Sequence, residues 1–229
     1  MKKVISLTAS AVAAALLLTA CGAGGERIDV NAQIKPGSIN DGYSYTSKYL
    51  DIFIRFGRDT GWEFKSQQEL KEENGVTQWD NYEFGLNTAV RSQGSAVDLD
   101  AYNPYSGASV TVTYKLLPEE DYNITAREYL AARLDELEGT STESGGVYHG
   151  SQGTVVLMPQ EASIFGYEYT VGTKFDCLDM EIYFEEYDAS LYMKMIAVKK
   201  DIFMAQIVLM SPFESDIEAM LEMFEKPQG

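Results

Sequence analysis

A single histidine, His149, is the obvious place to look for chemistry in this chain. It sits in Gly146-Val147-Tyr148-His149-Gly150, flanked by glycines. A catalytic histidine needs an orienting carboxylate and a nucleophile or metal in fixed geometry. A glycine-rich loop supplies neither, so His149 is read as a solvated loop residue. With no second histidine and Cys177 standing alone, zinc-ligand spacing is absent. Asp98, Asp100 and Asn103 precede a glycine-containing turn and invite an oxygen-ligand cation loop. Counted from Asp98, the residue at the twelfth place is Ser109, where an EF-hand needs glutamate. Two apart on a strand, Asp98 and Asp100 are expected to face solvent together. Glu185, Glu186 and Asp188 read as a solvated hairpin tip. Ser151 lies in Gly150-Ser151-Gln152-Gly153, which is not a nucleophile elbow. Neither phosphate-cradling glycine motif follows a strand. Nothing marks any pair of the thirty-five carboxylates for glycoside cleavage. No catalytic residue, metal or cofactor is assigned, and the chain is read as non-enzymatic.

Cys21 is different. Lys2 and Lys3 form a basic start and Val4 to Leu18 an apolar run, after which Leu18-Thr19-Ala20-Cys21 supplies small residues before a cysteine. The run is alanine-rich and short of the ~20 apolar residues of a permanent span. This is the pattern of a bacterial lipobox. In the lipoprotein class that it resembles, the Cys21 thiol takes a diacylglycerol and becomes the new N-terminus, and two acyl chains anchor stably where one is marginal. Residues 1–20 are the expected signal peptide, and the mature chain is expected on the extracytoplasmic face of the cell membrane. Only Cys177 then remains as a thiol, so no internal disulfide forms. Lys174-Phe175-Asp176-Cys177 offers little to activate it, and a buried structural thiol is expected.

The formal net charge is −17, and the two lysines of the leader make the mature chain more acidic still. Such a field repels nucleic acid and anionic headgroups. Fifteen tyrosines are spread along the chain, which suits strands and aromatic contact surfaces.

Gly22 to about Asn40 begins glycine-rich and lacks periodicity, so 21–40 is expected to be a flexible spacer after the lipidated cysteine. One domain is expected over 41–229. Capping boxes predict helices opening at Ser66 with Glu69, at Thr125 with Glu128, and at Ser215 with Glu218. Strands are predicted over 43–46, 50–56, 96–102, 109–116, 154–158, 164–170, 178–187, 191–198 and 202–210. Short turns between neighbours imply antiparallel pairing. Glu138 to Gln152 is expected to be a mobile surface loop.

The order of these elements resembles the PsbP-like (Mog-type) fold. The residues that carry the likeness are Tyr49-Leu50-Asp51-Ile52 leading to Gly61-Trp62, the helix from Thr125, and Lys199-Lys200-Asp201-Ile202-Phe203 leading to Met210-Ser211. It covers roughly 43–226. The fold is shared by an extrinsic photosystem protein, a Ran-interacting import factor and many Gram-positive lipoproteins. The resemblance implies an α+β class, an antiparallel sheet flanked by helices as an α-β-α sandwich. It carries over no functional residue, and fold alone does not fix function.

Trp79, Tyr82, Tyr102 and Tyr105 are the candidate binding surface. An exposed aromatic patch around Trp79 and the Asn103–Gly107 turn would mark a protein-binding or assembly module at the membrane face. The alternative, a binding module for a small ligand, wall glycan or cation, predicts an enclosed pocket with convergent polar groups. An enzyme would instead show buried, perturbed carboxylates lining a cleft.

Overall fold

Val110, Val112 and Tyr114 alternate with Thr111, Thr113 and Lys115, and that period of two makes this segment a strand with one buried face. It is one of eleven strands among the described residues. In chain order the strands are β1 (Ser38–Asn40), β2 (Ser44–Ser47), β3 (Ile52–Arg55), β4 (Glu63–Phe64), β5 (Ser95–Tyr102), β6 (Ser109–Leu116), β7 (Val147–Ile164), β8 (Tyr167–Phe184), β9 (Ala189–Lys200), β10 (Phe203–Ser211) and β11 (Phe224–Glu225). The helices among the described residues are α1 (Gln67–Glu73), α2 (Tyr82–Gln93), α3 (Ala126–Leu137) and α4 (Glu214–Glu222). The computed structural model describes residues 28–164 and 167–225. Cys21, the expected signal peptide and the start of the expected spacer lie outside them.

Two antiparallel sheets organise the described residues. One runs β1-β2-β3-β11 and the other β4-β5-β6-β10-β9-β8-β7. One face of the large sheet buries Leu178, Met180, Met193, Met195, Ala197 and Met204 beneath Leu130 of α3. The opposite face buries Val110, Val112, Tyr114, Ala205, Ile207 and Leu209. It meets the small sheet, where Tyr45, Ile52, Ile54 and Phe224 are buried and the Tyr49 ring packs edge-on against Tyr114 at 5.9 Å. The architecture is therefore sheet-rich, with a second sheet covering one face. The PsbP-like α-β-α sandwich implied by the resemblance is not what the chain forms. The physical reason is that β1, β2, β3 and β11 bury their apolar residues as a separate sheet, occupying the place of a helical layer.

Local signals explain much of the rest. The capping boxes at Ser66/Glu69 and Thr125/Glu128 are both formed. The box at Ser215/Glu218 is not. α4 starts two residues earlier, with Phe213 at the cap position, because the Ser211 hydroxyl accepts from the Phe213 N–H (3.1 Å) and donates to Asp216 (2.7 Å). The stretch around Val76–Tyr82, outside every predicted helix and strand, leads into α2, which Asn81 caps at its start and Gly94 ends at φ 82°.

The expected mobile loop over 138–152 is largely ordered pairing. From Val147 on it is β7, in register with β8. β8 merges the strands predicted over 164–170 and 178–187, and β7 merges the strand predicted over 154–158 with residues expected in the loop before it and with those that follow. The merging is interrupted between Leu157 and Gln160, where Met158 (φ 56°) and Pro159 make a bulge. A proline has no N–H to give a ladder, so a bulge is where it fits.

Candidate functional site

The turn joining β5 to β6 is built by one side chain. The Asn103 amide oxygen accepts from the N–H groups of Tyr105 (3.0 Å) and Ser106 (3.4 Å), and its NH2 donates to the Thr60 carbonyl (2.9 Å). Gly107 closes the loop at φ 77°, donating to the Asn103 carbonyl. The turn is wedged on both sides. The Tyr105 ring lies over Gly61, where a Cβ would stand 2.5 Å from Tyr105 Cδ2. On the other side a Cβ at Gly107 would stand 3.2 Å from Pro212 Cγ.

This brings three aromatic side chains to one end of the large sheet. Tyr105 is 88% exposed, Phe213 58% and Tyr102 46%. Cross-strand pairing fixes their neighbourhood, since Tyr102 pairs with Ser109 and Ser109 with Met210, three residues before Phe213. Below them the Trp62 and Phe64 rings pack edge-on against buried Phe56. Phe213 is the member that sequence reading missed. It lies over a hundred positions along the chain from Tyr105, and no local pattern joins them.

The other two candidates lie elsewhere. Trp79 is 36% exposed and packs edge-on against exposed Phe84, ring centres 4.6 Å apart. Phe84 lines a shallow depression of about 360 Å³ with Gln33, Asn81, Glu83, Thr88 and Arg91. Tyr82, placed on the same surface by the sequence, is buried, and its hydroxyl donates to the Val97 carbonyl (3.3 Å). It faces the core because α2 begins there and turns that side inward onto β5. Tyr82 therefore cannot serve as a contact residue.

Asp98 also departs from expectation. The register slips between Val97 and Leu99, which makes Asp98 the extra residue of a bulge. The strict alternation that would put Asp98 and Asp100 on one solvent face is broken there. Asp98 turns inward and is buried. One carboxylate oxygen accepts from the Tyr45 hydroxyl (2.7 Å) and the Gly37 N–H (2.8 Å), while the other has no partner. Burial pushes its pKa up, against the lowering effect of those hydrogen bonds. Tyr45 and Tyr82 are pushed up in turn, first by burial and then by the adjacent carboxylate. Asp100 faces the other way and pairs with Lys65 at 2.6 Å. A buried, perturbed carboxylate is present, but its shell is core tyrosine and backbone.

His149 sits on β7, paired across to Glu181. Its Nδ1 lies 3.2 Å from Glu138, whose second oxygen accepts from the Gly150 N–H at 2.7 Å. Those contacts hold Glu138 below the usual carboxylate range, the His149 hydrogen bond contributing most. The histidine thus ties the end of α3 to β7. Cys177 is buried, its thiol raised by burial, at the floor of a groove of about 340 Å³ with Arg127, Gln152, Thr154 and Lys174. Among the described residues, no three of His, Cys, Asp and Glu converge as a metal set. No described helix is long and apolar enough to cross a membrane.

No family model and no curated protein matches the chain. A crystal structure of a protein from Bacteroides thetaiotaomicron VPI-5482 is similar over 82% of this chain, at 11% identity and a TM-score of 0.35. The chain spans half the length of that protein (50%). A likeness at that level defines neither fold nor function.

Proposed function

We propose that this chain is a lipid-anchored, extracytoplasmic, non-enzymatic protein-binding module, and that partners dock on the tip formed by Tyr102, Tyr105 and Phe213. The observation that carries the reading is Tyr105, an aromatic side chain left 88% exposed on a turn fixed from both sides. Leaving a large ring in water forgoes the gain from burying it, while a rigid turn lowers the ordering cost of burying it against a partner. Clustered exposed aromatics are the residues that dominate binding energy in protein interfaces. The membrane address rests on the basic start, the apolar run and Cys21.

In-cell crosslinking of the full-length chain, read by mass spectrometry, tests this. One dominant protein partner is expected, lost on Tyr105→Ala or Phe213→Ala and kept on Trp79→Ala. A partner that survives both tip substitutions would overturn the assignment.

A further inference from the structure

We infer that the segment taken by the tip is cationic, a lysine- or arginine-bearing stretch of the partner protein. The inference rests on the docking role proposed above and adds the chemistry of what docks. Three carboxylates adjoin the aromatics in sequence or in register. Asp59 directly precedes Thr60, the residue held by Asn103. Glu63 is the cross-strand partner of Tyr102, so the two side chains share a face. Glu214 follows Phe213. All three are exposed, and none makes an ion pair among the described residues. Of the nearby cations, Arg58 is turned onto the Tyr43 ring at 5.0 Å, and Lys65 is held by Asp100 and Glu73.

Aromatic faces beside unpaired carboxylates are complementary to ammonium and guanidinium groups. The ring quadrupole attracts the cation, the carboxylate takes its hydrogens, and the apolar stem lies along the ring. The net charge of −17 draws such a segment in from a distance. An acidic segment would meet three like charges with nothing to offset them.

The full chain in neutral detergent is titrated against short fluorescent peptides of alternating Arg-Ser, Gln-Ser and Glu-Ser, read by anisotropy. Binding is expected for Arg-Ser alone. Combined Asp59→Asn, Glu63→Gln and Glu214→Gln is expected to weaken it by about tenfold, and Tyr105→Ala comparably. Combined Glu143→Gln, Glu185→Gln and Glu186→Gln removes the same charge from other exposed sites and is expected to cost less than about twofold. Equal losses in the two triple variants would overturn the inference, because the general field alone would then explain binding. Equal affinity for Gln-Ser would overturn it as well. A crosslinked partner kept by the tip charge variant but lost on Tyr105→Ala would refute the cationic segment while leaving the docking role standing. A partner kept by Tyr105→Ala would refute the docking role itself.

Discussion

Asp98 joins the two sheets through one oxygen. It lies on β5 of the large sheet and accepts from Tyr45 on β2 of the small sheet. Its other oxygen is buried and unpartnered, an arrangement that disfavours the ionised form. The folded pKa stands above the unfolded one, so the contribution of this group is most favourable below the unfolded value, about 3.9. That contribution is lost as pH rises through the raised folded value. Asparagine keeps an acceptor for Tyr45 and Gly37 but cannot ionise. The thermal midpoint of Asp98→Asn, relative to the unsubstituted chain, is expected to rise between about pH 4 and about pH 7. A difference that stays flat across that range would show that the carboxylate titrates as in the unfolded chain. Sequence alone could not place this residue. Alternation predicts solvent for both Asp98 and Asp100, and one inserted residue in the ladder sends them to opposite faces.

Among the elements, α2 shows why some local structure is legible and some is not. The boxes at Ser66/Glu69 and Thr125/Glu128 are signals contained in four residues, and the folded chain uses both. α2 carries Gly85, Asn87 and Thr88, poor helix formers that tertiary contacts hold in place. Gly85 makes room for Val76 and Trp79, since a Cβ there would stand 3.3 Å from Val76 Cγ2. Asn87 binds the segment that precedes β1. Its oxygen accepts from the Ile34 N–H (2.8 Å), and its NH2 donates to the carbonyls of Ile34 (2.9 Å) and Glu83 (2.8 Å). Arg91 donates to the Ala32 carbonyl (2.6 Å), and Lys35 pairs with Glu83. Ala32 and Ile34 are buried, so the described part of the expected spacer from Asn31 on lies docked along α2. Asn87→Ala removes all three amide bonds and is expected to cost about 2–3 kcal/mol. Limited proteolysis should then cut ahead of β1 before the sheets are lost. Continued protection of that segment would show that Ala32 and Ile34 hold it without the amide. The aromatic tip was half legible for a related reason. Tyr102 and Tyr105 belong to one turn, whereas Phe213 arrives only through the β6–β10 register.

On the scale of the whole molecule, the acidic surface, the docked segment and the tip form one arrangement. With Cys21 lipidated, Cys21→Ser is expected to move the protein from the membrane to the soluble fraction without changing its thermal midpoint. Unchanged membrane partition of that variant would remove the lipid anchor from the account. Ala32, on the side of the chain that leads to Cys21, and the proposed docking tip lie toward opposite ends of β10. Arg91, which holds Ala32, also lies over the ring of Phe203, the first residue of β10. Pro212 and Phe213 follow its last residue, Ser211. β10 spans about 27 Å at the usual rise of a strand. A pull on a partner held at the tip and resisted at the lipid would run down that strand. Under the proposed anchoring and docking, it would leave the domain through the contacts that α2 makes with Ala32, Ile34 and Lys35, and that short stretch would then act as a mechanical fuse.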